Sequence, residues 1–344
     1  MYSFQSPQEQ AKHTLRTYHF SPENSSYSLQ TTELPIPPTS VLIKTTHSGI
    51  CHTDIHAKPS GCGLGHEGIG HIAALGSSIV SFQVGDRVGW GWLHTSCKQC
   101  KTCKSGYPQY CHQARGFAFT DTDQGSMSTA RIIDVDLIVR IPDEIPSLYA
   151  APLMCAGAST FEALYAAGVS ADSHVGVVGV GGLGHMATLF AKAMGCEVTA
   201  ISRTEGKRED ARALGADHFI LSSPNMKMGD KGEGIDVLLI TSAAVPDFKS
   251  FLPLLARRAT IVLMTIQGDS IEVPYMDFVL PGHRMVASTE CGRENWKRML
   301  EFVAEKGIVP WVEEFEISDK GIETAFERLE GGKMRYRGVL SWRE

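Results

Sequence analysis

This sequence lacks long apolar runs, an excess of positive charge and a recognisable secretion signal. No segment approaches the ~18 continuous apolar residues of a membrane span, and the first twenty residues lack the apolar core of a signal peptide. The 32 basic residues are outnumbered by 38 acidic ones, and the net charge of −6 disfavours binding to nucleic acid or anionic lipid. The sequence therefore predicts a soluble, cytoplasmic protein with neither a nucleic-acid nor a membrane partner.

Cysteine, by contrast, is plentiful. Nine cysteines in a chain without a secretion signal indicate metal ligands or free thiols more than disulfides, because the cytosol keeps thiols reduced. Four of them, Cys97, Cys100, Cys103 and Cys111, have the spacing C-x2-C-x2-C-x7-C. Four thiolates at such spacing can surround Zn²⁺ with no open position, which makes a structural zinc site. Disulfides are one alternative, and an iron–sulfur cluster is the other. A bacterial iron–sulfur motif has the same spacing for its first three cysteines, but it continues x3-C-P, which this sequence does not.

The pattern of the chain changes near residue 155. Before it come short β-like runs, such as residues 41–47, 70–76 and 130–142, separated by Gly, Pro and Ser. After it, apolar strands alternate with helices, one of them expected through FKSFLPLLARR, and this alternation predicts a doubly wound parallel sheet. The sequence thus predicts an α/β protein of two domains, with a last strand near residue 337 that could return to the first domain.

A glycine-rich loop follows the first apolar strand of the second half. Gly179, Gly181 and Gly184 form G-x-G-x-x-G between a strand and a helix, and Gly182 and Leu183 complete the loop. The glycines permit a tight turn and a close approach of backbone to pyrophosphate, while the helix N-terminus attracts negative charge. Because the surrounding elements fit as well, the loop predicts dinucleotide binding in preference to a merely glycine-rich turn.

The end of the next strand decides which dinucleotide is expected. Enzymes that use NAD place Asp or Glu there, whereas this strand runs into Ser202 and Arg203, with Lys207 and Arg208 following. A 2′-phosphate would therefore meet cations. Glu205 lies in the same turn, and this acidic residue favours NAD instead. The sequence predicts NADP(H).

Residues 47–71, HSGICHTDIHAKPSGCGLGHEGIGH, begin a series of motifs that resembles a known family. GICHTDIH, GHEGIGH, GDRVGWG, the four-cysteine segment, APLMCAGAST, GVGGLG and RYRGVL occur in the order seen in zinc-dependent medium-chain alcohol dehydrogenases. The resemblance covers nearly the whole chain. On ISRTEGKRED and RYRGVL the chain looks most like the cinnamyl-alcohol-dehydrogenase branch, whose members typically use NADP(H).

The resemblance implies a domain organisation. A GroES-like, β-rich catalytic domain is expected from residues 1–155 and 289–344, with a Rossmann NADP(H)-binding domain of residues 156–288 inserted between them. An active site is expected in the cleft. Members of the family are dimers or tetramers, so the resemblance implies a homodimer, with a tetramer as the alternative.

The same resemblance assigns a catalytic zinc ion, and with the four-cysteine site this makes two zinc ions per chain. Cys51, His66 and Cys155 match its three ligands, which leaves one position open for water or a substrate oxygen. Glu67 and Asp54 match groups that support the metal and its histidine.

Other matched positions concern the proton, the cofactor and the substrate. Thr53 and His56 match a proton relay from the substrate oxygen toward solvent. His52 matches a contact to the cofactor pyrophosphate. Trp92 matches a position that commonly lines the substrate pocket, although a tryptophan of the hydrophobic core would fit the same pattern.

Cys62 and His71 are not among the matched ligands, and one segment departs from the family. Cys62 is expected to be a free thiol, and His71 a packing or surface histidine. Only eight residues, AKPSGCGL, lie between His56 and Gly65, several fewer than relatives usually carry, and a tight turn is expected at residues 59–61. The shorter segment either is a trimmed surface loop or leaves the substrate site more open to bulky substrates.

Together these features predict a zinc-dependent, NADP(H)-linked oxidoreductase that interconverts a small-molecule alcohol with an aldehyde or ketone. Reduction of a conjugated C=C or C=N bond is the alternative within enzymes, and the intact relay disfavours it, because reduction away from oxygen does not need Thr53. A non-catalytic NADPH-binding protein is the alternative of another class.

Overall fold

The computed structural model describes residues 11–343, apart from residues 121, 225, 227–233, 244–246, 267 and 269. The described chain divides into two compact units. The first comprises residues up to 154 together with 313–334 and 338–344, and the second comprises residues 155–312 and 335–337. The domain ends predicted at residues 155 and 288 stay predictions.

The first unit is built mainly from strands. Its elements before residue 155 are β1 (Lys12–Ser21), β2 (Ser26–Pro35), β3 (Ser40–Ile50), α1 (His52–Ala57), β4 (Glu67–Leu75), β5 (Arg87–Trp90), β6 (Leu93–Thr95), α2 (Lys101–Lys104), β7 (Arg115–Gly116), β8 (Ala130–Asp134), β9 (Ile138–Arg140) and α3 (Ser147–Ala150). The β1–β2 ribbon, which the sequence analysis did not predict, forms a two-stranded antiparallel sheet.

The second unit alternates strands and helices as predicted. Its elements are α4 (Ala156–Ala166), β10 (His174–Val178), α5 (Gly182–Ala193), β11 (Glu197–Ser202), α6 (Arg208–Ala213), β12 (His218–Leu221), β13 (Ile235–Ile240), α7 (Phe248–Phe251), β14 (Leu255–Leu263), α8 (Tyr275–Val279), β15 (Arg284–Ala287) and α9 (Arg293–Lys306). Six parallel strands take the order β12-β11-β10-β13-β14-β15. This is the Rossmann order, and its switch point lies between β10 and β13.

One predicted helix is wrong. The segment FKSFLPLLARR contains only the short helix α7 and a 3₁₀ turn at Leu252–Leu254, and β14 already begins at Leu255. Pro253 has no N–H group and cannot continue an α-helix, so the apolar residues after it enter the sheet. The α/β fold class is nevertheless confirmed.

The last elements complete the sheet of the first unit. They are β16 (Val312–Glu316), α10 (Asp319–Glu330) and β17 (Arg337–Ser341). In the seven-stranded sheet, β3 lies between β17 and β4 and pairs antiparallel with both. Strand β17 therefore supports β3, the strand that leads into Cys51. Tyr18, Ile50, Leu64 and Phe326 belong to one buried cluster under this strand. Burial of such side chains is worth roughly 1.5–3 kcal/mol each.

Candidate functional site

Helix α1 is capped by a residue that the sequence analysis assigned to the metal. Cys51 is the N-cap: its Sγ atom accepts a hydrogen bond of 3.3 Å from the backbone N–H of Thr53. In return, Oδ2 of Asp54 accepts one of 2.9 Å from the backbone N–H of Cys51. This reciprocal capping satisfies two N–H groups of the first turn and fixes the direction of the Cys51 thiol.

His66 faces the same thiol from the segment before β4. Its Nε2 atom lies 3.3 Å from Sγ of Cys51, and its Nδ1 atom lies 3.1 Å from Oδ1 of Asp54. Burial lowers the pKa of His66, but the nearby charges of Asp54 and Cys51 raise it more, so that it lies well above the ordinary value. Two ligands of one tetrahedral zinc ion, a thiolate and an imidazole, lie roughly 3.5 Å apart, and the observed separation fits that spacing.

Glu67 and Cys155 complete a four-residue group. One ligand atom from each of Cys51, His66, Glu67 and Cys155 lies within 4.8 Å of the others. Cys155 follows Met154 directly, so a peptide bond joins it to the first unit. Two thiolates and an imidazole suit Zn²⁺, and three ligands leave a position for a further oxygen donor. The donor set therefore fits a catalytic zinc ion.

Glu67 lies close to the other candidate ligands because the residue opposite it in the sheet is a glycine. It pairs with Gly49 across β3 and β4, and a Cβ atom on Gly49 would lie 2.0 Å from Oε2 of Glu67. Only glycine leaves room for this carboxylate. The Oε1 atom of Glu67 lies 3.9 Å from Nε2 of His66, so Glu67 is a neighbour of the histidine ligand.

The three remaining predicted residues of α1 differ in exposure. Thr53 and His56 are three positions apart and therefore share one side of the helix. Thr53 is partly buried and His56 is exposed, which is the order that a path from a buried oxygen to solvent requires. His52 is exposed, as a residue that contacts a cofactor phosphate must be before binding.

The four remaining candidate ligands form a second group. One ligand atom from each of Cys97, Cys100, Cys103 and Cys111 lies within 4.8 Å of the others, and all four are free thiols. Sγ of Cys97 lies 3.9 Å from Sγ of Cys103, close to the roughly 3.8 Å between two thiolates on one zinc ion. Disulfides are therefore absent among these four cysteines.

Backbone N–H groups stabilise the sulfur atoms of this second group. The N–H groups of Cys97, Cys100, Cys103 and Gln113 each donate to a cysteine Sγ atom at 3.3–3.5 Å. The hydrogen bond from the Cys97 N–H lowers the pKa of Cys111 to about 6. Such donors favour the thiolate that binds metal, so this segment fits a structural zinc ion.

The glycine loop has the geometry that dinucleotide binding needs. Gly179 has a φ of +98°, which glycine adopts without strain, and a Cβ atom on Gly184 would lie 1.7 Å from the carbonyl oxygen of Gly179. A Cβ atom on Gly181 would meet open space. The loop thus brings strand and helix close together and leaves an open approach over its second glycine, at the N-terminus of α5, which fits a pyrophosphate.

The predicted 2′-phosphate residues lie at the end of β11. Ser202 is buried, and its hydroxyl donates to the carbonyl oxygen of Thr204 at 3.3 Å, which shapes the turn. Arg203 is exposed, and Lys207 lies 4.3 Å above the ring of Tyr336. Arg208 is paired with Glu205, the residue that favours NAD, so this carboxylate already has a partner within the protein.

The sequence analysis assigned no role to Arg337, which lies in the motif RYRGVL. A Cβ atom on Gly182 would lie 3.0 Å from Nη1 of Arg337, so this guanidinium borders the first residue of α5. An arginine beside a helix N-terminus adds positive charge at the place expected for pyrophosphate. The only sequence signal was its presence in a motif shared with the family.

Trp92 belongs to a small apolar cluster. It is partly buried and packs against a cluster of Ala57, Cys62 and Phe117, and Phe117 stacks on His66 with 4.9 Å between ring centroids. Cys62 is buried, and burial raises the pKa of its thiol. Trp92 therefore lies two contacts from His66, a candidate metal ligand. His71 is exposed on β4, as expected.

Two family models match the chain. The model described as an alcohol dehydrogenase GroES-like domain matches residues 37–143, and the model described as a zinc-binding dehydrogenase matches residues 182–305. The first match contains six of the seven candidate zinc ligands, and the second begins at Gly182 in the glycine loop. Both predicted domain types are therefore confirmed.

Individual proteins agree with these matches. A probable cinnamyl alcohol dehydrogenase from Populus deltoides is 36% identical, over 94% of this chain and 92% of that protein. An NADP-dependent alcohol dehydrogenase C from Mycobacterium bovis is 34% identical, over 88% and 91%. The structure of a cinnamyl alcohol dehydrogenase from Sorghum bicolor superposes with a TM-score of 0.87 at 31% identity, covering 96% of this chain and 98% of that one. The chain therefore belongs to the zinc-dependent alcohol dehydrogenase family of oxidoreductases, in its cinnamyl-alcohol-dehydrogenase-like branch.

Proposed function

We propose that this protein interconverts a bulky or aromatic primary or secondary alcohol with its aldehyde or ketone, with NADP(H) as the coenzyme and two zinc ions per chain. The observation that carries the proposal is the grouping of Cys51, His66 and Cys155 beside the helix that holds Thr53 and His56. The relatives named above, one of them described as NADP-dependent, support the coenzyme and the substrate class.

The residues of the chain have separate tasks in this reaction. When bound, zinc would polarise the carbonyl oxygen as a Lewis acid and NADPH would supply hydride to the carbonyl carbon. Thr53 donates a proton to the substrate oxygen through its hydroxyl. His56, at the exposed end of the path, replaces that proton from solvent. In the oxidising direction the same two residues carry the proton outward.

Asp54 keeps the histidine ligand in one orientation. Its carboxylate accepts from Nδ1 of His66, so Nε2 points toward Cys51. A carboxylate in this position also raises the basicity of the imidazole. The aromatic side chains of Trp92 and Phe117 provide apolar surface beside the same histidine, which suits an aromatic substrate.

We also propose that the protein is a cytoplasmic homodimer. All nine cysteines are free, which suits a reducing compartment. Helix α8 and the residue after it expose four large apolar side chains, Tyr275, Met276, Val279 and Leu280, and β15 nearby is an edge strand of its sheet. Such a surface favours a second copy of the chain. No helix among the described residues is long and apolar enough to cross a bilayer.

The reaction is tested with NADPH that carries deuterium at C4 of the nicotinamide. We expect aromatic and bulky aldehydes to be reduced with deuterium at the former carbonyl carbon. Deuterium at a carbon of a conjugated C=C or C=N bond would instead establish the alternative enzyme. Absence of turnover with every carbonyl and conjugated substrate, despite bound zinc and NADPH, would establish a binding protein.

The dimer is tested by sedimentation. We expect the parent protein to sediment as a dimer and Leu280→Glu to shift it toward monomer, because the charge would be buried in the interface. The control variant Val84→Glu changes an equally apolar, exposed side chain of the first unit and should leave the dimer intact. A parent monomer would overturn this part of the proposal.

A further inference from the structure

Three residues near the end of the chain belong to the dinucleotide-binding unit, although their neighbours belong to the first unit. These are Arg335, Tyr336 and Arg337. The backbone N–H groups of Tyr336 and Arg337 both donate to the carbonyl oxygen of Trp311, at 3.1 and 3.2 Å. The segment is therefore fixed in place by its own backbone.

The ring of Tyr336 lies between two other rings. His185 stacks on it with 5.4 Å between centroids, and Trp311 stacks on it with 5.8 Å. His185 is buried, and burial together with the charge of Arg337 lowers its pKa to about 3, so the histidine stays neutral. The stack holds the tyrosine ring rigidly without adding charge.

Asp210 connects this ring to helix α6. One of its oxygens accepts a hydrogen bond from the hydroxyl of Tyr336, and the other accepts from Nη2 of Arg335. Asp210 itself is buried. A single carboxylate thus holds two side chains that are 125 and 126 positions away along the sequence.

Lys207 lies on the same ring. Its ammonium group is 4.3 Å from the centroid of Tyr336, a distance typical of a cation–π contact. Arg335 and the hydroxyl of this same ring share Asp210, so both cations are connected to Tyr336. Burial lowers the pKa of Lys207, and the charge of Arg335 lowers it further. Within the described ranges Lys207, the residue before α6, has no carboxylate partner, whereas Arg208 and Arg212 on α6 each have one.

Lys207 and Arg335 are thus both held around Tyr336, and Lys207 follows the end of β11, where the ribose of a dinucleotide lies. We propose that Arg335 is a further specificity-determining residue for the 2′-phosphate of NADP(H), and that Asp210 and Tyr336 are positioning residues that hold Arg335 and Lys207 for it. This inference rests on the NADP(H) preference in the proposed function.

The test measures binding of 2′,5′-ADP and of 5′-AMP to the full-length protein by calorimetry, without turnover. We expect Arg335→Gln to weaken 2′,5′-ADP about tenfold and 5′-AMP less than twofold. Arg335→Lys should recover part of the loss, because a cation remains without the planar guanidinium. Arg212→Gln is the matched control, since Arg212 lies on α6, as Asp210 does, but pairs with Glu209.

Asp210→Asn separates positioning from simple charge. If charge alone mattered, removal of the carboxylate would tighten phosphate binding. If Asp210 positions the cations, its loss weakens phosphate binding. We expect the second result, with binding of 2′,5′-ADP at least threefold weaker. Tyr336→Phe keeps the ring stack and removes only the hydroxyl, so we expect a smaller loss of the same sign. The ³¹P resonance of the bound 2′-phosphate should shift in both variants but not in Arg212→Gln.

The outcomes distinguish two failures. If the parent protein binds 2′,5′-ADP and 5′-AMP equally, the NADP(H) preference itself fails. If the parent prefers 2′,5′-ADP but Arg335→Gln binds it as tightly, only the role of Arg335 is overturned. Tighter binding by Asp210→Asn, in a variant that retains 5′-AMP binding and thermal stability, would overturn the positioning role.

Discussion

The Nδ1 atom of His66 lies 3.1 Å from Oδ1 of Asp54, and both side chains are buried. The other oxygen of Asp54 accepts from the backbone of Cys51, so this carboxylate aligns two proposed ligands at once. Asp54→Asn replaces one of the two carboxylate oxygens, both of which are hydrogen-bond acceptors here, by an NH₂ group that can only donate. We expect zinc affinity of the catalytic site to fall about 10- to 100-fold, measured by chelator competition. An equal loss at the four-cysteine site would contradict this.

A second prediction concerns the number and roles of the metals. Elemental analysis should find two zinc ions per chain. Cys155→Ser should abolish turnover yet leave a folded protein that binds NADPH. Cys103→Ser should instead lower stability, because a structural zinc ion can contribute ~10 kcal/mol or more to folding of its segment. Cys62→Ser, a buried cysteine outside both groups, should retain both ions. One zinc ion in the parent protein would remove one of the assignments.

The relay makes a third prediction. Loss of a positioned proton-transfer group typically lowers the rate about 10²- to 10⁴-fold, so Thr53→Ala should lose at least 10²-fold in kcat for carbonyl reduction. His56→Ala should lose less, because His56 is exposed and water can replace it. Thr53→Ser, which keeps a hydroxyl, is the matched control and should retain most of the rate. A near-parent rate in Thr53→Ala would favour reduction of a conjugated bond.

Coenzyme preference is the fourth prediction. The kcat/KM for NADPH should exceed that for NADH at least about tenfold, equivalent to ~1.4 kcal/mol. Arg203→Asp should reverse the order, since a carboxylate there repels the 2′-phosphate and accepts from ribose hydroxyls. Arg208→Asp is less informative, because Arg208 is already paired with Glu205. Equal efficiencies in the parent protein would show that the cations at the end of β11 have another purpose.

The short segment after α1 makes the fifth prediction. The turn expected at residues 59–61 is present: a 3₁₀ helix at Lys58–Ser60 ends at Gly61, which has a φ of +70°. If the shortened segment leaves the substrate site open, kcat/KM should rise along a series from acetaldehyde to aromatic and polycyclic aldehydes, because small substrates fill the site badly. A preference for the smallest aldehydes would mean that the loop was trimmed without consequence.

The sequence predicted best what depends on neighbours along the chain. The glycine loop, the four-cysteine spacing and the Gly61 turn are local, because the backbone conformation and the ligand spacing are encoded within a few residues. The predicted helix through residues 248–258 failed because apolar periodicity was given more weight than Pro253, which stops the helix.

The contacts made by Asp210 could not be predicted in this way. Within KREDARALGA the residue reads as an ordinary acidic residue of a helix start, a common and stabilising position. Its partners, Arg335 and Tyr336, lie more than a hundred residues away, and no local pattern links them to α6. The β1–β2 ribbon was missed for a related reason, since no residue of β2 is buried and the strand lacks an alternation of apolar residues.

The two sets of proposed zinc ligands differ in how far apart they lie along the chain. The four cysteines fall within fifteen residues, whereas Cys51 and Cys155 are separated by roughly a hundred, and the entropy needed to close a loop grows with its length. During synthesis the four-cysteine segment can capture its ion as soon as Cys111 has emerged. At translation rates of ~5–20 residues per second, Cys155 follows roughly two to nine seconds later. Strand β17, which pairs with the strand that leads into Cys51, follows later still, so the four-cysteine segment can hold its ion while the catalytic group is incomplete. In a cell short of zinc we therefore expect chains that carry one ion and are inactive.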